Sequence, residues 1–303
     1  MNLKHKKLII LLLVAFLSIS LIVASGCAKN EGDGTENGEG TEKQEAKGTL
    51  KLGYVNWAEG IAMTNLAEAI LEDKMGYEVE TKMADPALVF TSVADSSFDA
   101  FLDAWLPVTH ESYMEKYGDD LVDLGYNFEG ARIGLVVPEY VEIDSIEQMN
   151  EYKDKFDGKI VGIDSGAGIM KATNRAIEEY GLDFELIAGS GPAMTAALKD
   201  AIDNEKWIIV TGWKPHWKFA RWDLKFLEDP KKVYGEIENI HTVARKGLEE
   251  DAPDVVQFLK NFKLDDQQLG SLMGMIEEGD GEPIDAAKEW MQQNEDLVNS
   301  WLP

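Results

Sequence analysis

Hydrophobic and polar positions change their period repeatedly along this chain. From residue 49 onward, short apolar or alternating runs of strand length give way to longer stretches with helical spacing, again and again. The pattern predicts strands over 50–55, 77–83 and 98–102, with helices over 60–74 and 87–95 between them. A β-rich run over 131–137 then ends at Pro138. A second set repeats the scheme. A helical stretch over 145–154 precedes strands over 159–163, 184–188 and 207–210, with helices over 168–180 and 192–204. Another β-like run covers 240–247, and helices are predicted over 252–261, 265–278 and 284–302. Strand–helix alternation of this kind points to an α/β fold with a largely parallel sheet. The order predicts two lobes, one from 49–135 plus 240–303 and one from 136–239. Two crossings would leave a cleft between them, and ligand sites favour such interfaces.

The first 48 residues follow neither period. Lys4, Lys6 and Lys7 precede an apolar run over 8–23 that only Ser18 and Ser20 interrupt. Ala24-Ser25-Gly26 then places small residues directly before Cys27, the single cysteine of the chain. Residues 1–26 therefore read as a signal peptide, and Cys27 as the lipidated N-terminus left by cleavage, as in bacterial lipoproteins. The other reading is an uncleaved membrane anchor, since the run is nearly long enough to span. A lone cysteine serves no internal disulfide. Residues 27–48 are polar and rich in Gly, Glu and Lys, the composition of a flexible tether.

Charge narrows the partners. The formal net charge is −27, and removing residues 1–26, with three lysines and no acid, makes it −30. Such a surface disfavours nucleic acid and anionic lipid headgroups.

The candidate chemistry lies in the tryptophans. Of eight, Trp57, Trp105 and Trp213 directly follow β-like runs. Open α/β sheets bind ligands beyond the carboxyl ends of their strands. Trp57 and Trp105 would come from one lobe and Trp213 from the other. Aromatic faces, Trp above all, suit a quaternary ammonium, which has no N–H to donate. Each desolvated contact is worth ~2 kcal/mol, so three approach the roughly 8 kcal/mol of micromolar binding. Core packing is the competing reading for each ring. Trp207, Trp290 and Trp301 read as packing, while Trp217 and Trp222 stay ambiguous.

An anion end is predicted in Ile163-Asp164-Ser165-Gly166-Ala167-Gly168-Ile169, which runs from a strand through small residues into a helix. The free N–H groups of Gly168 and Ile169 at that helix start would hold a carboxylate. The segment lacks the Lys-Ser/Thr of a P-loop. His110, five residues past Trp105, is a candidate donor to the same carboxylate, and His216 a lesser one. His241 sits in a β-like run, and His5 in the signal peptide.

The segments Gly53-Tyr54-Val55-Asn56-Trp57, Asp103-Ala104-Trp105-Leu106-Pro107-Val108-Thr109-His110, Gly162 to Lys171 and Val210-Thr211-Gly212-Trp213-Lys214-Pro215-His216-Trp217 together carry a resemblance. Over nearly all of 49–303 the chain resembles the substrate-binding proteins of glycine betaine/proline betaine ABC transporters. The resemblance implies a two-lobed type II periplasmic-binding fold that closes on its ligand. It implies a prism of Trp57, Trp105 and Trp213, with the ligand carboxylate on Gly168, Ile169 and His110. Glycine betaine or a related betaine or choline-type compound is the implied ligand, without metal or cofactor. A lipid anchor and separate permease and ATPase subunits are the implied partners. Two other classes compete. One is a hydrolase, for which the chain offers no G-x-S-x-G, no H-E-x-x-H and no Cys nucleophile. The other is a sensory ligand-binding subunit.

Overall fold

The computed structural model describes residues 46–303, so the predicted signal peptide and Cys27 lie outside the described residues. In chain order the first elements are β1 (Thr49–Tyr54), α1 (Ala58–Asp73), β2 (Glu78–Met83), α2 (Pro86–Ala94), β3 (Ala100–Leu106), α3 (Glu111–Tyr117) and the long β4 (Leu121–Pro138). A 3-10 stretch, Ile146–Phe156, leads into β5 (Lys159–Val161), α4 (Gly168–Tyr180), β6 (Glu185–Ile187), α5 (Gly191–Asp203), β7 (Val210–Lys214), α6 (Lys218–Arg221) and β8 (Leu224–Phe226). The chain then returns through β9 (Glu238–Arg245) and ends in α7 (Leu248–Asp251), α8 (Pro253–Asn261), α9 (Asp266–Glu278), α10 (Pro283–Gln293) and α11 (Glu295–Trp301).

The strands form one mixed sheet in the order β2-β1-β3-β9-β4-β7-β5-β6, with β8 also on β4. The parallel pairs β1–β2, β1–β3, β5–β6 and β5–β7 come from strand–helix–strand units. β9 runs antiparallel between β3 and β4. β4 joins the two halves of the sheet: Leu121–Ala131 pairs with β9, whereas Arg132–Val136 pairs with β7. The change of partner thus falls between Ala131 and Arg132. The chain crosses back between β8 and β9.

β3 is buried along its whole length, as a central strand covered on both faces must be. Its one charged residue, Asp103, is fully buried with it. α1 lies against β3, α9 and α10. Its Ala62, Ala67 and Ala69 let the helix sit close, and Met63, Leu66 and Ile70 fill the space beneath.

Three expectations are corrected. β4 starts ten residues before the predicted run, at Leu121. Register shifts and positive φ at Gly125 and Gly130 interrupt the alternation there, so no clean period marks it. β7 starts at Val210 and not at Trp207. The predicted helix over 284–302 is two helices: at Asn294 the ψ angle moves to 35°, and the side chain donates to Trp290 O at 2.9 Å, competing for the helical acceptor.

Candidate functional site

Trp57 is the N-cap of α1, directly after β1. Trp105 and Trp213 lie within the last residues of β3 and β7, not beyond them as expected from sequence. In-strand pairing with Ile240 and Ile133 fixes their registers. All three rings line one space together with Glu59, Thr109, His110, Ile133, Ile163 and Ala167 to Ile169. That space is about 280 Å³. It is compact, with room for one small solute. Wider depressions occur elsewhere. One of about 1020 Å³ lies by Arg132, Phe226 and Tyr234, and one of about 870 Å³ by Lys199, Trp217 and Trp222. The second also gathers aromatic rings, Trp213 among them, but neither is lined by a buried polar side chain without a partner, so the compact space is the candidate site.

Each cage indole is tied by its N–H to a carboxylate. Trp213 Nε1 donates to Glu59 at 2.7 Å, Trp105 Nε1 to Asp103 at 2.8 Å and Trp57 Nε1 to Asp164 at 3.3 Å. With the N–H edges satisfied, the apolar faces are left to line the space. Two of these bonds cross between the sheet halves, Glu59 to Trp213 and Trp57 to Asp164. Burial raises the pKa of Glu59, a shift opposed by the Trp213 hydrogen bond and by Lys218. Burial, and then the neighbouring Glu59, push Asp103 well above the usual carboxylate range. The buried Lys218 ammonium lies 4.2 Å over the Trp213 ring, and burial lowers its pKa against the pull of Glu59.

His110 is fully buried, stacked at 5.9 Å on Trp57 and edge-on to Phe90 at 5.2 Å. Its Nδ1 accepts the Trp105 backbone N–H at 2.9 Å. Burial, with a smaller push from Lys171, lowers its pKa to about 3, so the ring is neutral and carries its proton on Nε2. That Nε2 is buried without a protein partner. An unpaired donor in a dry wall costs free energy unless something accepts from it.

Gly168 and Ile169 open α4 behind Ala167, which supplies no side-chain cap. Among the described residues neither N–H has a hydrogen-bond acceptor. The His110 loop lies directly against this helix start. A Cβ on Gly168 would stand 2.1 Å from Thr109 O, so only glycine permits the approach. Glu238 on β9 holds the loop in place. Its carboxylate accepts Val108 N–H at 3.1 Å, Thr109 N–H at 3.0 Å and the Thr109 hydroxyl. Tyr113 Oη donates to Gly166 O at 2.9 Å, and Lys171 Nζ to Ser112 Oγ at 2.8 Å, across the same boundary.

All six predicted binding residues therefore meet in one place. His216 does not join them. It is buried edge-on to Trp213 at 4.9 Å, and its Nδ1 accepts the Lys218 N–H at 3.1 Å. Trp217 and Trp222 pack on one another at 5.5 Å beside the neighbouring groove. Trp207 packs on Tyr152 and Phe156, Trp301 on Phe262, and Trp290 Nε1 donates to Ser271. His241 pairs with Asp123 at 2.9 Å. Sequence reasoning missed Glu59, Asp103, Lys218 and Glu238. Only Asp103 left a local signal, as a lone acid in the otherwise apolar run Phe101-Leu102-Asp103-Ala104-Trp105.

The family model described as the substrate binding domain of ABC-type glycine betaine transport systems matches residues 48–293. The solved glycine betaine/L-proline-binding protein ProX of Borrelia burgdorferi is similar at a TM-score of 0.81 and 38% identity, covering 84% of this chain and 97% of that one. Lactococcal OpuAC, closed on glycine betaine, gives 0.80 and 36%, covering 84% and 99%. The glycine betaine/carnitine transport binding protein GbuC of Listeria monocytogenes is 49% identical over 146 residues, 47% of this chain. The match spans about half the length of that curated relative, 48%. Fold and neighbours define the class, an extracytoplasmic solute-binding protein of the ABC-transporter type with the periplasmic-binding fold. The chain belongs to the family of substrate-binding domains of ABC-type glycine betaine transport systems, a family of binding proteins and not of enzymes.

Proposed function

We propose that the protein captures glycine betaine in the space bounded by Trp57, Trp105 and Trp213 and delivers it to the permease and ATPase of an ABC importer. One observation carries this reading. Three indole faces and three unpaired donors, His110 Nε2 and the N–H groups of Gly168 and Ile169, line the same compact space. Indole faces attract a cation that cannot donate a hydrogen bond. Neutral donors at a helix start attract a carboxylate. A trimethylammonium group one carbon from a carboxylate satisfies both ends. Choline offers its hydroxyl in place of the carboxylate and ranks behind.

The two sheet halves act as lobes that part about β4 near Ala131/Arg132 and about the segment between β8 and β9. The compact space admits a solute only when they part, and the indole–carboxylate bonds across the boundary re-form on closing. Cys27 carries a lipid that holds the protein at the outer face of the cell membrane. No described helix is long and apolar enough to cross a membrane.

The test is titration calorimetry with glycine betaine, dimethylglycine, carnitine and choline, joined to solution scattering. Glycine betaine binds, dimethylglycine binds more weakly because it lacks one of the methyl groups that the rings enclose, and the radius of gyration falls with ligand. No heat with any of the four ligands would refute the reading. Identical radii with and without saturating ligand would refute closure.

A further inference from the structure

The binding scheme above leaves one wall residue without a task. Glu59 lines the same space as the three tryptophans and is 1% exposed. Its carboxylate is held by the Trp213 indole N–H at 2.7 Å. It stands in the first turn of α1, where the peptide dipoles favour negative charge. The ionisable groups around it divide simply. Asp103, from β3, comes so close that a Cβ on Gly60 would stand 2.6 Å from its Oδ2. Burial, and then Glu59, push the pKa of Asp103 well above the usual carboxylate range. His110, and His216 just before α6, are buried with pKa values far below ordinary and are neutral. Lys218, from α6, is buried with no hydrogen-bond partner for its Nζ. Glu59 and Lys218 oppose one another, each favouring the charged form of the other.

Aromatic faces alone separate a trimethylammonium from an uncharged tert-butyl group only through the ring quadrupole, because both have the same shape and gain the same dispersion. A carboxylate in a dry wall adds negative charge to that distinction. Building on the capture of glycine betaine proposed above, we propose that Glu59 is the cation-selecting residue of the site. Its buried carboxylate favours a permanent positive charge between the rings over an uncharged group of equal shape. Because its partner Trp213 lies on the other sheet half, this charge is set in place as the cleft closes.

The test compares glycine betaine with 3,3-dimethylbutanoate, in which carbon replaces the quaternary nitrogen, by titration calorimetry on the full chain at pH 7.5. The wild type prefers the betaine by roughly 100-fold or more. Glu59→Gln keeps an oxygen for the Trp213 N–H and removes only the charge. It narrows the preference by on the order of 10- to 100-fold, the effect of a unit charge about 6 Å away at an effective dielectric of about 20. Affinity for the carbon isostere holds or rises. A merely structural role for Glu59 would weaken both ligands alike, and such parallel loss overturns the proposal. A wild type that binds betaine but shows no preference over the isostere overturns it without any variant. Failure of the wild type to bind betaine at all would instead remove the proposed function on which it rests.

Discussion

Replacing Gly168 with alanine separates the closed cleft from the rest of the fold. The added methyl carbon would stand 2.1 Å from Thr109 O, 2.8 Å from its carbonyl carbon and 2.6 Å from its Cγ2. No packed atoms stand that close, so the backbone on one side must move. Thr109 is poorly placed to yield, since the buried Glu238 carboxylate holds its N–H, its hydroxyl and the preceding N–H. Overpacking of this size costs about 1–3 kcal/mol, which weakens glycine betaine binding roughly 5- to 150-fold. The penalty applies only while the two sheet halves are together. Once they part, alanine at the first position of a 13-residue helix is neutral or up to about 1 kcal/mol better than glycine. The unfolding midpoint without ligand therefore holds or rises, while the upward shift produced by a fixed ligand concentration shrinks. Calorimetric Kd values and thermal melts with and without ligand read both quantities. Wild-type affinity in the alanine variant would refute the closed approach of Thr109 to α4. A clearly lowered midpoint without ligand would refute its restriction to the closed form.

Trp57→Ala, Trp105→Ala and Trp213→Ala should each weaken glycine betaine binding by roughly 1–3 kcal/mol, and the Phe variants by less; native affinity in all three alanine variants would return these rings to packing. His216 is held neutral by burial, with Lys218 adding to the shift, so its pKa lies well below the 6.5 of the unfolded chain. Its stabilisation is complete above pH 6.5 and is lost as pH falls, because the unfolded state takes up the proton first. Denaturant titrations from pH 7 to 5 should show the wild type losing about 1.4 kcal/mol per pH unit relative to His216→Asn below that value; parallel profiles would mean that the histidine titrates normally in the fold. Cys27→Ser should abolish lipid labelling and either release the protein or leave it unprocessed, so labelling that persists in the variant would remove the anchor.

The fold class and much of the site were legible in the sequence because they rest on local periodicities. Side chains alternate along a strand and recur every three to four residues along a helix, so alternating runs such as 50–55 and helical runs such as 168–180 announce themselves. Tryptophans near strand ends and a glycine-flanked helix start are also local patterns. They pointed to Trp57, Trp105, Trp213, Gly168 and Ile169 before any packing was known. Legibility failed where the backbone departs from one period, as in the bulged first half of β4 and at Asn294.

The carboxylates around the cage were decided by tertiary structure alone. Among 56 acidic residues, nothing in the sequence separates Glu59 or Glu238 from acids that only solvate the surface. Glu59 and Trp213 are 154 positions apart and meet because β9 and β4 bring the two sheet halves together. The same meeting leaves His110 Nε2 unpaired and allows only a glycine at 168. A side chain's charge state and partners follow from its burial and its neighbours. Those are properties of the packed whole, and local composition does not carry them.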